Sequence, residues 1–189
     1  MKKQELRIIF KEKRKGLSVH DIEKFNDLIL INFQKLKLPF INCVHTYIAS
    51  LKLGEPDTAT ILQYLQFINP LMKIVIPRID IHSGKMVHYH FSEGMEMITN
   101  DYGIDEPKEG NLISEEEIDL VLIPLLAFDK KGNRVGFGKG YYDIYLASCR
   151  DDVCKIAFSY FEPVNAVDDA NTFDVPLTYC ITPHNIYEF

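Results

Sequence analysis

The stretch RVGFGKGYYD, residues 134–143, concentrates the groups of this chain best suited to chemistry. Gly136, Gly138 and Gly140 alternate with Phe137 and Lys139; Arg134 and Val135 precede them, and Tyr141, Tyr142 and Asp143 follow. Alternating glycines let successive backbone N–H groups turn into one concavity, which attracts anions. Where such a loop enters a helix, the unpaired N–H groups and the positive end of the helix dipole act in the same direction. A tight turn would explain the glycines alone, but Arg134 and Lys139 at the rim favour a phosphate site. Asp143 narrows the kind of phosphate. A carboxylate beside a polyphosphate repels it unless a cation lies between, and Mg²⁺ is commonly held by one or two carboxylates plus phosphate oxygens. Asp143 thus points to a Mg-nucleotide, with stabilisation of a helix N-terminus as the plainer alternative. The P-loop pattern is absent, and Tyr141 stands where the dinucleotide fingerprint needs its third glycine.

A second set of charges lies at the N-terminus. Residues 1–15 hold seven cations against two anions in a chain of net charge −6. Lys3, Arg7, Lys11 and Arg14 fall at i, i+4, i+8 and i+11, within one arc of a helix over residues 3–15, beside a stripe of Leu6, Ile9 and Phe10. Such a face is usually only solvated; a local device for an anionic ligand is the alternative, and Lys11 and Arg14 are expected at the surface. His88 and His90 share a strand face but lack a third ligand at suitable spacing, so a structural or surface role is expected. The run Glu115–Glu117 reads as a solvated loop or helix start. Cys43, Cys149, Cys154 and Cys180 form no C-x-x-C pair, which argues against zinc and thiol redox chemistry and for reduced, mostly buried thiols.

These groups need a scaffold. Ser18 and Asp21 resemble a capping box for a second helix carrying Ile22, Phe25, Ile29, Phe33 and Leu36 on one face and stopping before Pro39. Strands are expected at 44–50, 73–79, 87–91, 119–128, 155–160 and 179–182, with a turn at 82–85 and a polar, irregular stretch at 92–117. Helices are expected at 58–68, with Ile61, Leu62, Leu65 and Ile68 inward, and at 141–149. The 119–128 run is apolar on both alternate sets, as in a central parallel strand buried on both faces. Strands alternating with helices predict an α/β fold, a three-layer open sheet, mostly parallel, with the glycine loop after a central strand.

A length of 189 residues fits one domain spanning 1–189, and hydrophobic and charged contents of 47% and 25% are those of an ordinary soluble globular chain. The acidic balance argues against a nucleic-acid binder. The longest apolar run is too short to cross a bilayer, and the charged N-terminus lacks the apolar core of a secretory signal, so a cytoplasmic protein without membrane partners is expected.

The segment PLLAFDKKGNRVGFGKGYYDIYL resembles the signature of the 5-formyltetrahydrofolate cyclo-ligase (5,10-methenyltetrahydrofolate synthetase) family, F-D-x-x-G-x-R-x-G-x-G-x-G-Y-Y-D followed by a helix. The basic first helix, Glu55-Pro56-Asp57-Thr58, Ile76-Pro77-Arg78 and Phe173-Asp174 extend the resemblance over almost the whole chain in family order. It implies a three-layer α/β monomer that converts 5-formyltetrahydrofolate to 5,10-methenyltetrahydrofolate with ATP and Mg²⁺, releasing ADP and phosphate. Carried over by position, Lys3, Arg7 and Arg134 through Tyr142 (Val135, Gly136, Phe137, Gly138, Lys139, Gly140 and Tyr141 included) match ATP-binding positions. Asp143 and Asp174 match metal-binding carboxylates. Glu55 and Ser50 match folate contacts, joined by the inner loop, Phe137 to Tyr141. Lys139, Arg134 and Tyr142 are the catalytic candidates. Two departures stand out: Phe173 replaces a histidine common in the family, and Glu162-Pro163 replaces Glu-Gln. Two rival readings remain open, a non-catalytic folate or nucleotide sensor and a sugar-phosphate enzyme on a related fold; a third, an RNA-binding module using residues 1–15, is disfavoured by the acidic remainder and the missing RNA motifs.

Overall fold

Caps set the first two helices. The Glu5 carboxylate accepts the Lys2 backbone N–H at 2.9 Å and opens α1 (Lys3–Lys15). Ser18 and Asp21 exchange hydrogen bonds at 3.1 and 3.2 Å and open α2 (Val19–Phe33), as their spacing predicts. The structure, a computed structural model, describes residues 1–80, 83–100 and 103–189, and for Leu51 the backbone only. The chain continues through β1 (Cys43–His45), α3 (Ala59–Ile68), β2 (Lys73–Ile79), β3 (Met86–His90), β4 (Met97–Thr99), β5 (Asp105–Pro107), β6 (Leu120–Ile123), β7 (Ala127–Phe128) and β8 (Arg134–Val135). It ends with α4 (Tyr141–Ser148), β9 (Cys154–Phe158), β10 (Tyr179–Ile181) and β11 (Ile186–Glu188).

Seven strands form one sheet in the order β11-β10-β9-β6-β1-β2-β3. Its five inner strands run parallel, and β3 and β11 close the edges antiparallel. β6 is central and fully buried. Its alternation feeds two cores: Leu120 and Leu122 meet Ile29 and Phe33 of α2 and Ile61 and Leu65 of α3, whereas Val121 and Ile123 meet Tyr145 and Leu146 of α4. The predicted three layers are therefore α2 and α3, the sheet, and α4. α1 lies aside, with Leu6 and Phe10 packed on Leu126, Ala127 and Val135. No helix among the described residues is long and apolar enough to cross a membrane.

Several expectations are corrected. The strand expected over 119–128 splits, because Pro124 has no N–H to continue the ladder. Ala127–Phe128 instead pairs with Arg134–Val135 in a separate antiparallel ribbon. The strand expected over 44–50 ends at His45, and the chain folds back through a 3-10 turn at Leu51–Leu53. Ile68, expected inward, is half exposed at the end of α3. The stretch 92–117 contains the small β4–β5 ribbon and a Ser114-capped 3-10 turn over Glu115–Glu117. β11 was not anticipated. His82, part of the expected 82–85 turn, lies outside the described residues.

β1 leads to β2 on one side of it in the sheet, and β6 leads to β9 on the other, with α3 and α4 on opposite faces. The boundary between β1 and β6 is thus a topological switch point, where the loops leaving the strands diverge and open a crevice. The loop after β1 carries Ser50 and Glu55, and the segment after β6 carries the glycine loop.

Candidate active site

The glycine loop is aimed by the β7–β8 ribbon. At its turn Asp129, 1% exposed, accepts the backbone N–H groups of Lys131 (2.9 Å), Asn133 (3.0 Å) and Val167 (3.0 Å) and the Asn133 side chain (2.9 Å). Burial works to raise its pKa, but these donors together hold it below the ordinary value. The ribbon delivers Arg134 and then the loop, whose Gly138 (φ +97°) and Gly140 (φ +76°) take left-handed backbone conformations that suit glycine. Gly140 caps α4.

α1 crosses this loop and supplies two cations. Arg7 Nε donates to the Gly136 carbonyl at 2.9 Å, and its guanidinium lies against Gly138. Lys3 Nζ donates to both oxygens of Asp174 at 2.6 Å. Arg134 is buried. Its guanidinium pairs with Asp143 at 2.7 Å and donates to the Val175 carbonyl, while the Val175 N–H donates to the same Asp143 oxygen at 3.3 Å. Lys3, Arg7, Arg134, Gly136–Gly140, Asp143 and Asp174 thus form one group, although they come from three separate parts of the chain. Burial lowers the Arg134 pKa, opposed by Asp143 and Asp174, so both carboxylates act on one guanidinium. Arg134 was expected at the rim; it lies beneath the loop because Asp143 and Val175 hold it there. Val135 is core, Phe137 is half-buried beside it, and Lys139 is exposed.

Ser50 and Glu55 form a second group. The Glu55 carboxylate, 9% exposed, accepts the Ser50 N–H at 2.9 Å. Burial raises its pKa, while that hydrogen bond and Arg14 pull it down. Tyr142 stands between the groups. Its hydroxyl is buried without a hydrogen-bond partner among the described residues, and its pKa is raised by burial and by Glu55, with Arg134 opposing. A buried, unpartnered hydroxyl between a carboxylate and a guanidinium is suited to meet a polar ligand. Tyr141 is half-buried at the first turn of α4.

The arc of α1 cations disperses. Lys3 reaches Asp174, Arg7 reaches the loop, Lys11 is exposed as expected with its Nζ 5.9 Å from the centroid of the Phe137 ring, and Arg14, expected at the surface, is 5% exposed. The helical wheel does not single it out: Arg14 lies at i+4 from Phe10, but Lys3 borders the same stripe three residues before Leu6. His88 is buried, stacked on Tyr145 with ring centroids 4.1 Å apart, and His45 lies 4.6 Å from the same ring. Neither histidine has a hydrogen-bond partner at its ring nitrogens among the described residues. Phe173 is exposed beside Asp174. Among the described residues no set of three or more His, Cys, Asp or Glu side chains is arranged to hold a metal ion.

Comparison with known proteins assigns a family to this arrangement. The 5-formyltetrahydrofolate cyclo-ligase family model matches residues 1–183. A mitochondrial 5-formyltetrahydrofolate cyclo-ligase of Arabidopsis thaliana is 33% identical over 126 residues, which cover 60% of this chain and 46% of the plant protein, about half its length. The 5-formyltetrahydrofolate cyclo-ligase of Escherichia coli is 26% identical over 157 residues, covering 80% of this chain and 85% of that one. A solved structure of Aquifex aeolicus 5,10-methenyltetrahydrofolate synthetase superposes with a TM-score of 0.81 at 26% identity, over 100% of this chain and 93% of its own. The chain belongs to the 5-formyltetrahydrofolate cyclo-ligase family.

Proposed function

We propose that this protein catalyses the ATP- and Mg²⁺-dependent conversion of 5-formyltetrahydrofolate to 5,10-methenyltetrahydrofolate, releasing ADP and phosphate. The observation that carries this reading is the set of charges around the glycine loop, with Arg7 on Gly136, Arg134 on Asp143 and Lys3 on Asp174, at a switch point whose other loop bears Glu55. The names of the matched relatives supply the folate substrate.

The acid groups fit Mg²⁺ in one form only. Asp143 and Asp174 are two carboxylates linked through Val175, too few for an all-protein cage but enough for an ion that also takes phosphate oxygens. They would hold it once the phosphates of ATP draw Arg134 and Lys3 away. Bound there, Mg²⁺ supplies charge neutralisation at the transferred phosphate.

The remaining chemistry is positioning and charge, as phosphoryl transfer requires. An amide oxygen is a poor leaving group and phosphate a good one, which is why ATP is needed. The formyl oxygen attacks the γ-phosphorus, the bond from that phosphorus to the β–γ bridging oxygen breaks, and ADP leaves. Nitrogen-10 then attacks the activated formyl carbon and gives up its proton, and the carbon–oxygen bond breaks to release phosphate. The loop N–H groups and Lys139 hold the phosphates, while Lys3, Arg7 and Arg134 clamp them. Glu55 accepts the amino group and adjacent ring N–H of the pterin, two donors that one carboxylate meets together. Tyr142 reaches the substrate between these sites.

The test is formation of the methenyl product, followed by absorbance, from purified protein, 5-formyltetrahydrofolate, ATP and Mg²⁺. Product that requires both ATP and Mg²⁺ is expected. Lys139→Ala and Asp143→Ala should each lower the rate on the order of 10²-fold. Absence of product from folded protein would reject the reading in favour of a ligand-binding role without turnover.

A further inference from the structure

Arg14 stands outside the nucleotide group and is nonetheless buried. Its Nη1 donates to the Leu53 carbonyl at 3.4 Å and its Nη2 donates to the Leu125 carbonyl. Leu53 belongs to the loop after β1, and Leu125 lies just past the end of β6. One guanidinium therefore bridges the two loops that diverge at the switch point. The stem packs along the turn: a Cβ built on Gly54 would lie 3.5 Å from Arg14 Cβ, an ordinary contact distance, while φ of +57° favours glycine at that position. A buried guanidinium is costly unless its charge is compensated. Here the compensation is Glu55, the next residue along the loop, whose charge acts on Arg14 more strongly than Tyr47 or Tyr160.

We propose that Arg14 is a positioning residue for the folate site: it ties the Leu53–Gly54 turn to the end of β6 and sets a buried positive charge beside the loop that presents Glu55 to the pterin donors. This rests on the reading of Glu55 as the pterin contact. It makes α1 a strut shared by both substrates, with Lys3 on Asp174, Arg7 on the glycine loop and Arg14, two turns further on, at the folate loop.

The groups around Glu55 single out Arg14. Tyr47 from the segment after β1, Tyr142 from α4 and Tyr160 from the segment after β9 all act on it as weak acids, and Ser50 offers its backbone N–H. Burial raises the pKa of each of these tyrosines, so they stay neutral over the physiological range and cannot replace the guanidinium charge. Tyr160 and Tyr47 also hold the loop, donating to the carbonyls of Glu55 at 3.3 Å and Pro56 at 2.9 Å, so removing Arg14 leaves most of the loop anchored.

The sign of the pH effect follows. Glu55 already has a raised pKa, and Arg14 opposes the rise. Without Arg14 the carboxylate takes its proton at higher pH, so folate binding weakens further as pH falls.

The experiment measures affinity for 5-formyltetrahydrofolate and for ATP by calorimetry between pH 5.5 and 8.5, for wild type, Arg14→Met, Arg14→Lys, Glu55→Gln and the Arg14→Met/Glu55→Gln double variant. Arg14→Met is expected to weaken folate binding roughly 10- to 100-fold at neutral pH, more at lower pH, and to change ATP affinity less than about twofold. Arg14→Lys should restore the wild-type pH profile. On the Glu55→Gln background the Arg14 change should add less than about threefold, because the group it acts through is gone. Glu55→Gln with normal folate affinity would reject the reading of Glu55. A weak Glu55→Gln beside an Arg14→Met variant with normal affinity, or with a pH-independent loss shared by both ligands, would overturn the role of Arg14. Should Arg14→Met fail to fold, Arg14→Lys decides: it keeps the charge but not the fork, so a folate-selective loss supports the proposal and unchanged affinity for both ligands overturns it.

Discussion

Replacing Gly138 with alanine puts a methyl group where the Arg7 guanidinium lies. The added Cβ would sit 3.1 Å from Arg7 Cζ, 3.2 Å from Nε and 3.3 Å from Nη2. Those distances are a few tenths of an ångström too short, and the end of a flexible side chain can yield. In yielding, Arg7 gives up its 2.9 Å bond to the Gly136 carbonyl and its place over the loop. A hydrogen bond from a charged donor contributes about 1.5–3 kcal/mol, so the loss should lower kcat/KM for ATP by roughly 10- to 150-fold. Separately, φ of +97° suits glycine and costs an alanine about 1–2 kcal/mol. That strain falls on the folded chain with or without ligand. For a chain of this size it should lower Tm by roughly 2–8 °C. Steady-state kinetics with each substrate varied in turn, together with thermal melts, separate the two effects. On an Arg7→Ala background the ATP penalty of Gly138→Ala should nearly vanish, because its steric partner is gone, while the Tm loss persists. Additive ATP penalties, or a normal KM for ATP in Gly138→Ala, would refute the argument that Arg7 reads the loop across a bare glycine.

Three further outcomes are expected. His45 and His88 are buried as neutral rings, with pKa values held below the ordinary 6.5 mainly by burial, His88 down to about 4 despite Glu115. The unfolded chain therefore binds more protons below pH 6.5, and stability falls from there toward pH 4 by about 1.4 kcal/mol per pH unit for each histidine; His88→Phe should flatten the Tm–pH curve, and a curve parallel to wild type would contradict this. Asp129→Asn places an amide N–H₂ against N–H donors at the buried ribbon turn, so it should destabilise the fold by about 2–3 kcal/mol in urea melts; an unchanged midpoint would dismiss the turn as a support for the loop. Lys3→Met leaves Asp174 without its cation and should raise KM for ATP on the order of tenfold with KM for folate unchanged; an equal rise in both would place Lys3 outside the nucleotide site.

Local pattern foretold much of the scaffold. Ser18 and Asp21 cap α2 because a capping box needs only residues three apart. The expected strand over 73–79 is β2, and the apolar run around β6 is buried on both faces because a central parallel strand must be apolar on both. Two of the loop glycines, Gly138 and Gly140, take left-handed backbone, a conformation that glycine adopts without strain. Where the reading failed, a distant partner decided. Thr46 to Ser50 have the composition of a strand, yet this segment leaves the sheet, with Tyr47 bonded to Pro56 in the loop that folds back. The β7–β8 ribbon could not be foreseen because it requires Pro124 to end β6 and α1 to cover the far side.

Sequence alone determined the residue inventory, the caps, the periodicities and a signature specific enough to name the family. It could not distribute the cations of α1. Lys3, Arg7, Lys11 and Arg14 occupy one arc of one helix, and a helical wheel treats them alike. Tertiary structure sends Lys3 to Asp174, Arg7 to Gly136, Lys11 to the exposed side of the Phe137 ring and Arg14 into the interior between Leu53 and Leu125. It likewise draws Arg134 beneath the loop, onto Asp143 and Val175. The physical reason is common to all of them. The environment of a charge is set by what packs against it, and here those partners lie from 9 to 171 residues away along the chain, brought together by the sheet at its switch point.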